Sequence, residues 1–241
     1  SYASGTDSFA AAIANNTSSY GATGTNSVAI GFRAKANGGH GFAVGYQNIA
    51  SGNYSVALGR NSTSAGAQGF SAGYLSEAAA ENSTALGFRS KTKVQGQFAV
   101  TSGYFVSAGD TQTSIYTLRS DTTDATPEAL TTNNSTPSTT NQIILPNNSA
   151  YAFHGTIVAR EQASAGTDCA AWKIEGLIRR EGSAGTTTLV NSATTVIDNT
   201  PGWGMALSAD TTNGGLKIEV TGAAATNIRW VATINTSEVT Y

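Results

Sequence analysis

Small and apolar residues alternate with polar ones along residues 26–101, and this alternation recurs with a longer period of 14 residues. Five glycines mark the longer period: Gly31, Gly45, Gly59, Gly73 and Gly87. The segments that end on them read SVAIG, GFAVG, SVALG, GFSAG and STALG, a sixth copy ends at Thr101, and a degenerate earlier copy ends at Ala14. Alternation with a period of two predicts β-strands rather than helices.

Each 14-residue copy has room for two strands of about five residues and for two turns rich in Gly, Asn and Ser. Successive copies are therefore predicted to stack as the rungs of a parallel β-roll, with each strand pairing with its equivalent in the next rung. A single rung cannot bury its own apolar side chains, so we expect neighbouring rungs and partner chains to stabilise the roll.

Two adjacent columns of residues differ in size from copy to copy. The column two positions before the glycine is small throughout: Ala29, Ala43, Ala57, Ser71, Ala85 and Ala99. The next column carries larger residues: Ile30, Val44, Leu58 and Leu86. We predict that the larger column fills the interior of the roll. The small column is then expected to face outwards, toward the axis of a parallel homotrimer.

The 14-residue rhythm stops near Thr101, and longer alternating strands separated by Gly, Asn and Asp clusters follow. About eight such strands without a helical pattern predict an antiparallel β-sandwich, jelly-roll-like in arrangement. The sequence therefore predicts an all-β chain of two domains, a β-roll repeat domain at residues 1–106 and a β-sandwich at residues 107–241.

The three tryptophans of the second domain differ in their surroundings. Trp172 and Trp230 alternate with polar residues on strands, so we expect both in the core. Trp203 lies in the segment NTPGWGMAL, where Pro and Gly predict a loop. It is a candidate receptor contact, because an indole on a loop can stack on a sugar, and the alternative is that it closes one end of the sandwich.

Low charge is the most unusual feature of the composition. Charged residues make up 12% of the 241 residues, about half of the usual 25%, and the net charge is −2. We therefore expect no nucleic acid partner, and no apolar stretch reaches the roughly 20 residues of a membrane span. Because the chain begins at Ser1, we expect it to be part of a longer or processed protein, with any anchor elsewhere.

Residues that carry chemistry are few and scattered. Neither His40 nor His154 has a partner at ligand or triad spacing, and the single cysteine, Cys169, is expected to be buried and inert. Six acids are candidates for glycan hydrolysis or turn formation: Asp121, Asp124, Glu128, Glu161, Asp168 and Glu175. No pair is recognisable among them, so we expect no catalytic residue, no metal site, no cofactor and no enzymatic activity.

The stretch NSVAIGFRAKANGGHGFAVGYQNIASGNYSVALG resembles the head repeats of trimeric autotransporter adhesins, the YadA-like family. This resemblance covers residues 26–101 and implies a left-handed parallel β-roll in which three chains pack about a threefold axis. Residues 115–241 resemble the C-terminal region of bacteriophage tail-fibre proteins, which brings no known catalytic residues.

These resemblances imply a structural component of a trimeric bacteriophage fibre on the virion surface that contributes to host attachment. Its expected partners are two further copies of itself, other virion proteins, and a glycan or protein of the host surface. Two alternatives stay open. One is the head of a bacterial trimeric adhesin at the cell surface, and the other is a tail spike that degrades glycans.

Overall fold

The computed structural model describes residues 2–11, 19–162 and 167–241, and it is built of β-strands. Within those ranges the only helical element is a single 3₁₀ turn at Ala184–Thr186, so no helix there is long or apolar enough to cross a membrane. The all-β prediction is confirmed. The chain divides into two compact units, Ser1–Gln112 and Thr113–Tyr241.

The first unit is a β-solenoid of about six turns with parallel strands. Its strands are β1 (Phe9–Ala11), β2 (Gly21–Ala22), β3 (Val28–Ile30), β4 (Lys35–Ala36), β5 (Phe42–Tyr46), β6 (Ile49–Ala50), β7 (Val56–Arg60), β8 (Thr63–Ser64), β9 (Phe70–Tyr74), β10 (Glu77–Ala78), β11 (Thr84–Phe88) and β12 (Phe98–Thr101). From β3 onward the odd-numbered strands and β12 form one parallel ladder, and β2 to β10 form a second ladder of two-residue strands.

The register keeps equivalent residues of successive repeats side by side. Ala43 pairs with Ala57, and Ala57 pairs with Ser71, so each repeat adds one rung without any shift. The prediction of stacked rungs is confirmed. The degenerate copy that was expected to end at Ala14 lies outside the described residues at that point, although Phe9–Ala11 do pair with Val28–Ile30.

The direction in which the two columns point is the reverse of the prediction. All six residues of the small column (Ala29, Ala43, Ala57, Ser71, Ala85 and Ala99) have no exposed surface, because they line the interior of the coil. The opposite wall is equally small, with Ala36, Ala50 and Ala78 also fully buried. Along the long strands the interior therefore holds only small side chains, and Ile30 points outwards with 37% of its surface exposed.

Close approach of successive turns explains some of the repeated glycines. A Cβ atom added to Gly52 would fall on the carbonyl oxygen of Gly66 in the next turn. We expect Gly52→Ala to lower the free energy of unfolding by at least about 1–3 kcal/mol, as overpacking does. The matched control is Gly103→Ala, whose added Cβ meets nothing within 4 Å. Denaturant unfolding measures both, and equal stabilities would contradict this packing.

The second unit consists of two antiparallel sheets. Its strands are β13 (Thr111–Thr122), β14 (Glu128–Ala129), β15 (Ile143–Ile144), β16 (Ser149–Glu161), β17 (Cys169–Arg180), β18 (Thr188–Asp198), β19 (Gly204–Asp210), β20 (Gly215–Thr221) and β21 (Ile228–Thr240). The large sheet has the order β13-β21-β16-β17-β18, and β14, β15 and β19 all pair with β20 in the small one. The return of β21 beside β16 is the spatial order of a Greek key.

Buried and exposed residues alternate along the long strands, so one face of the large sheet belongs to the core. Trp172, Ile174 and Ile178 are buried on β17, as Ile228, Trp230 and Ile234 are on β21, which confirms the core positions predicted for Trp172 and Trp230. The indole of Trp172 stacks on that of Trp230 with centroids 5.8 Å apart. The indole Nε1 of Trp230 donates a hydrogen bond of 2.9 Å to the Thr122 hydroxyl, so its polar atom is satisfied inside the core.

A cluster of buried polar side chains links strands β13, β16 and β21 of this core. The Tyr116 hydroxyl lies 3.0 Å from Oε1 of Glu238, which also accepts a hydrogen bond of 2.7 Å from the Thr236 hydroxyl. Burial, and next the charge of Glu238, raise the pKa of Tyr116 well above its usual value. The pKa of Tyr151 is raised for the same two reasons, so both phenols stay neutral in the folded protein.

This arrangement predicts loss of stability in alkali. An unfolded tyrosine ionises near pH 10, so the stabilisation is complete below about pH 10 and falls above it by up to about 1.4 kcal/mol per pH unit for each phenol. Urea unfolding between pH 8 and pH 11 should show this fall, and Tyr116→Phe should make it less steep. A flat profile in the unaltered protein would contradict the burial of both phenols.

Candidate interaction surfaces

The outer face of the long ladder is apolar. We define the outer face as the two columns that flank the buried small column: Val28, Phe42, Val56, Phe70, Thr84 and Phe98, and Ile30, Val44, Leu58, Ala72, Leu86 and Val100. Phe42 is 38% exposed and Val100 is 40% exposed, and the remaining members are at least partly exposed. A continuous apolar stripe of this kind is typical of interaction surfaces.

A second feature of the solenoid is a row of stacked side chains where each long strand ends. This corner ladder consists of the residues that follow the glycines: Phe32, Tyr46, Arg60, Tyr74 and Phe88. Phe32 stacks on Tyr46 with centroids 4.9 Å apart, and Tyr74 stacks on Phe88 at 5.1 Å. Between these pairs the guanidinium of Arg60 lies 5.4 Å from the Tyr46 ring and 5.1 Å from the Tyr74 ring. The column is visible in the sequence, but only the stacked rungs bring its members into contact.

Two further arginines lie beside the corner ladder. Arg33 lies over the rings of Tyr20 and Phe32 at 5.4 and 5.3 Å, and Arg89 lies 3.9 Å from the centroid of Tyr104. Arg33 and Arg89 have positive φ angles of 51° and 62°. This left-handed conformation at the residue two after the glycine turns the chain away from the long strand.

Trp203, the candidate receptor contact, is buried. Only 5% of its surface is exposed, and its ring lies 5.7 Å from that of Trp230. The side chain of Asn199 holds the loop, accepting a hydrogen bond of 2.9 Å from the Trp203 N–H and donating one of 2.8 Å to its carbonyl. The prediction of a stacking contact with a receptor is therefore wrong, because the indole completes the core instead.

The burial of Trp203 has a measurable consequence. Truncating a buried Trp costs about 3–5 kcal/mol, so Trp203→Ala should strongly lower the thermal midpoint of the second unit. Tyr241→Ala provides the control, because Tyr241 is fully exposed at the chain end and its backbone bond to Asn148 does not need the side chain. If the melting curve of Trp203→Ala superimposes on that of the control, the Trp203 side chain is exposed and not part of the core.

One groove of the second unit gathers two carboxylates and an amine. It has a volume of about 410 Å³ and is lined by Ser120, Glu128, Asn134, Lys217 and Glu219 among others. The Ser120 hydroxyl donates to Glu128 at 2.8 Å, and the amine of Lys217 pairs with Glu219 at 2.7 Å. The sequence did not pair Glu128 with Glu219, because the chain brings them together only through the pairing of β14 with β20. Such a lining can hydrogen-bond a polar ligand.

The other candidate acids lie apart from this groove. Asp124 accepts a hydrogen bond of 2.6 Å from the Thr126 N–H, the turn geometry expected for it, and this bond lowers the pKa of Asp124. Glu175 is opposite His154 on paired strands, and both side chains are exposed. Asp121 and Asp168 are exposed as well, and Glu161 is half-buried at the end of its strand.

The remaining reactive side chains form no cluster. Within the described ranges, no three residues among His, Cys, Asp and Glu are placed to hold a metal ion. His40 stacks on Tyr54 at 4.6 Å in the solenoid turns, with a φ of 58°. The expectation of a buried thiol is wrong, because Cys169 begins β17 and is exposed.

Comparison with solved structures finds phage tailspike proteins. The tailspike gp49 of Acinetobacter baumannii bacteriophage Fri1, a capsular polysaccharide depolymerase, is 13% identical, and the match covers 89% of this chain and 38% of gp49, with a TM-score of 0.30. The tailspike of Acinetobacter phage vB_ApiP_P1 is 11% identical over 97% of this chain and 51% of its own, with a TM-score of 0.21. No curated protein sequence matches.

The expectation that this chain is not an enzyme is corrected by the same comparison. That expectation was based on the absence of a recognisable pair of acids in the sequence. One of the tailspikes, however, is described as a depolymerase of capsular polysaccharide. A TM-score of 0.30 and an identity of 13% assign no activity to the present chain. The matched region also spans only 38% of that tailspike. The exclusion of a glycan-degrading activity is withdrawn.

The repeats themselves match a known family model. The model of the YadA head domain repeat matches residues 22–48, 36–62 and 64–90. These residues include the corner ladder and all of the buried small column and the outer face except Phe98, Ala99 and Val100. Residues 22–62 and 64–90 of this chain therefore match YadA head repeats, which confirms the resemblance that the sequence showed for most of residues 26–101.

Proposed function

We propose that this chain is a structural segment of a homotrimeric fibre that projects from an extracellular surface and contributes to attachment. The observation that carries this proposal is the outer face of the solenoid. All of its side chains except that of Thr84 are apolar, although the buried column of the same strands contains only Ala and Ser. Because small side chains inside the coil bury little apolar surface, we expect most of the apolar burial to come from further copies of the chain that cover the outer face.

Three parallel copies suit the geometry of the outer face. Successive rungs pair without any shift, so a parallel copy of the chain can place the same repeat beside each rung. Three copies arranged about an axis parallel to the solenoid then form a closed ring in which every outer face is covered. The match to YadA head repeats supports the same arrangement. In such a trimer the outer face lies at the axis, and the interior column takes no part in the contact.

Two biological settings share this architecture. The fibre of a bacteriophage virion is the setting that we propose first, and the head of a bacterial surface adhesin is the second, which the YadA head repeats favour. In both, a low content of charged residues and many short turns suit a stiff extracellular spacer.

Immunogold labelling of intact particles and cells tests the location. An antibody raised against residues 19–112 should label projecting fibres on whole phage particles, or the cell surface in the adhesin setting. Labelling that appears only after particles or cells are broken open would overturn the proposal. Omitting the primary antibody provides the control for nonspecific gold.

A further inference from the structure

The corner of the solenoid carries three guanidinium groups whose charge is not compensated. We define the cationic corner as Arg33, Arg60 and Arg89 together with the rings that they touch. In the described part of the chain none of these three forms an ion pair, and Nε of Arg33 and Nε of Arg89 lack any hydrogen-bond partner. The nearby Lys91 is neutralised by Glu77 at 2.9 Å. The corner is therefore a positive strip on a chain whose net charge is −2.

The rings prepare these guanidinium groups for a ligand. The guanidinium of Arg60 contacts the rings of Tyr46 and Tyr74 on the two neighbouring rungs, and the residue is exposed. A planar guanidinium held in this way loses little side-chain entropy when it forms two parallel hydrogen bonds to a carboxylate or sulfate. Stacking therefore favours an anionic ligand with planar or forked oxygens.

The spacing of the charges selects a linear ligand. Arg60 directly follows Gly59, whereas Arg33 and Arg89 are the second residues after Gly31 and Gly87, so the three arginines belong to rungs that are two apart. Adjacent strands are about 4.8 Å apart, so successive arginine-bearing rungs are about 9–10 Å apart along the solenoid. A nucleic acid strand carries a phosphate about every 3.4 Å, a far higher density than this strip can neutralise. An acidic polysaccharide with one anionic group in each disaccharide has a sparser charge.

We propose that the cationic corner binds an extended acidic polysaccharide, with one carboxylate or sulfate at each guanidinium and the sugar units between them lying along the tyrosine edges. This site is distinct from the outer face and does not depend on the setting of the fibre. It assigns to the repeat unit a ligand chemistry that the predicted attachment function left open.

Binding of defined glycans to the full chain tests the proposal. Hyaluronan oligosaccharides, which carry one carboxylate per disaccharide, should bind with an affinity that falls as salt rises, and neutral dextran of equal length should not bind. The triple variant Arg33→Gln, Arg60→Gln and Arg89→Gln should lose at least about tenfold in affinity. The matched control removes three exposed cations of the second unit, Arg119→Gln, Lys173→Gln and Arg229→Gln, and should bind as the unaltered chain does.

Further measurements distinguish specific binding at the cationic corner from nonspecific electrostatic attraction of an anionic polymer. Arg60→Lys keeps the charge but loses the planar fork, so it should bind more weakly than the unaltered protein. Equal losses in the two triple variants, equal binding of dextran, or tighter binding of oligo(dT) than of hyaluronan would each overturn the proposal. Loss of the three-chain mass in the Arg33, Arg60 and Arg89 variant would also overturn it, because the corner would then be a contact between chains.

Discussion

Replacing Ala57 by Asp is expected to unfold the solenoid. The side chain of Ala57 has no exposed surface and lies between Ala43 and Ser71 in the buried column. A carboxylate there has neither room nor a cation beside it, and an uncompensated buried charge costs about 3–5 kcal/mol. That cost is a large fraction of the 5–15 kcal/mol that stabilises a typical protein. Circular dichroism on heating should show a much lower thermal midpoint.

The control for this variant is Asn53→Asp. Asn53 is an exposed turn residue of the same repeat, and its side-chain oxygen accepts a hydrogen bond of 3.1 Å from the Gly39 N–H of the neighbouring rung, which a carboxylate retains. The added charge is the same in both variants, so the difference isolates the interior. Similar thermal midpoints in the two variants would show that the small column does not line the coil.

Replacing Leu58 by Asp should separate the chains while the strands persist. Leu58 belongs to the outer face, and covering a leucine contributes about 1.5–3 kcal/mol. Three equivalent sites in a trimer lose at least about 4.5 kcal/mol, which corresponds to roughly a thousandfold in the dissociation constant. Multi-angle light scattering should report the mass of one chain, with the β-sheet circular dichroism signal retained.

The same Asn53→Asp variant controls for the charge added by Leu58→Asp, because it should keep the mass of the unaltered protein. A variant carrying Asp at position 58 that stays fully associated would show that the outer face contacts no other chain. Loss of the β-sheet signal before any loss of mass would place Leu58 in the interior instead.

The sequence was sufficient to predict the rungs but not the direction of their side chains. The period of 14 and the alternation within it identify the strands, since both follow directly from the order of the residues. Alternation alone cannot tell which of two columns points inwards, and the usual preference for large side chains inside gave the wrong answer. The useful signal was the constancy of size from Ala29 to Ala99, because a coil of uniform width admits only side chains of uniform size.

The surfaces could be predicted only in part, since they depend on contacts between distant residues. The aromatic column after each glycine is readable in the sequence, but the insertion of Arg60 between two rings requires the register of the rungs. Similarly, Pro and Gly around Trp203 correctly indicate a loop. Its burial follows from the side chain of Asn199 and the ring of Trp230, which no local pattern reveals.

Sedimentation equilibrium of the unaltered chain tests the central claim, that the outer face joins copies of this chain. The measurement needs no variant and does not depend on molecular shape. The account predicts a single species at three times the 24.5 kDa of one chain over a wide range of concentration. A single species of 24.5 kDa would contradict it, because the apolar outer face would then remain uncovered in solution.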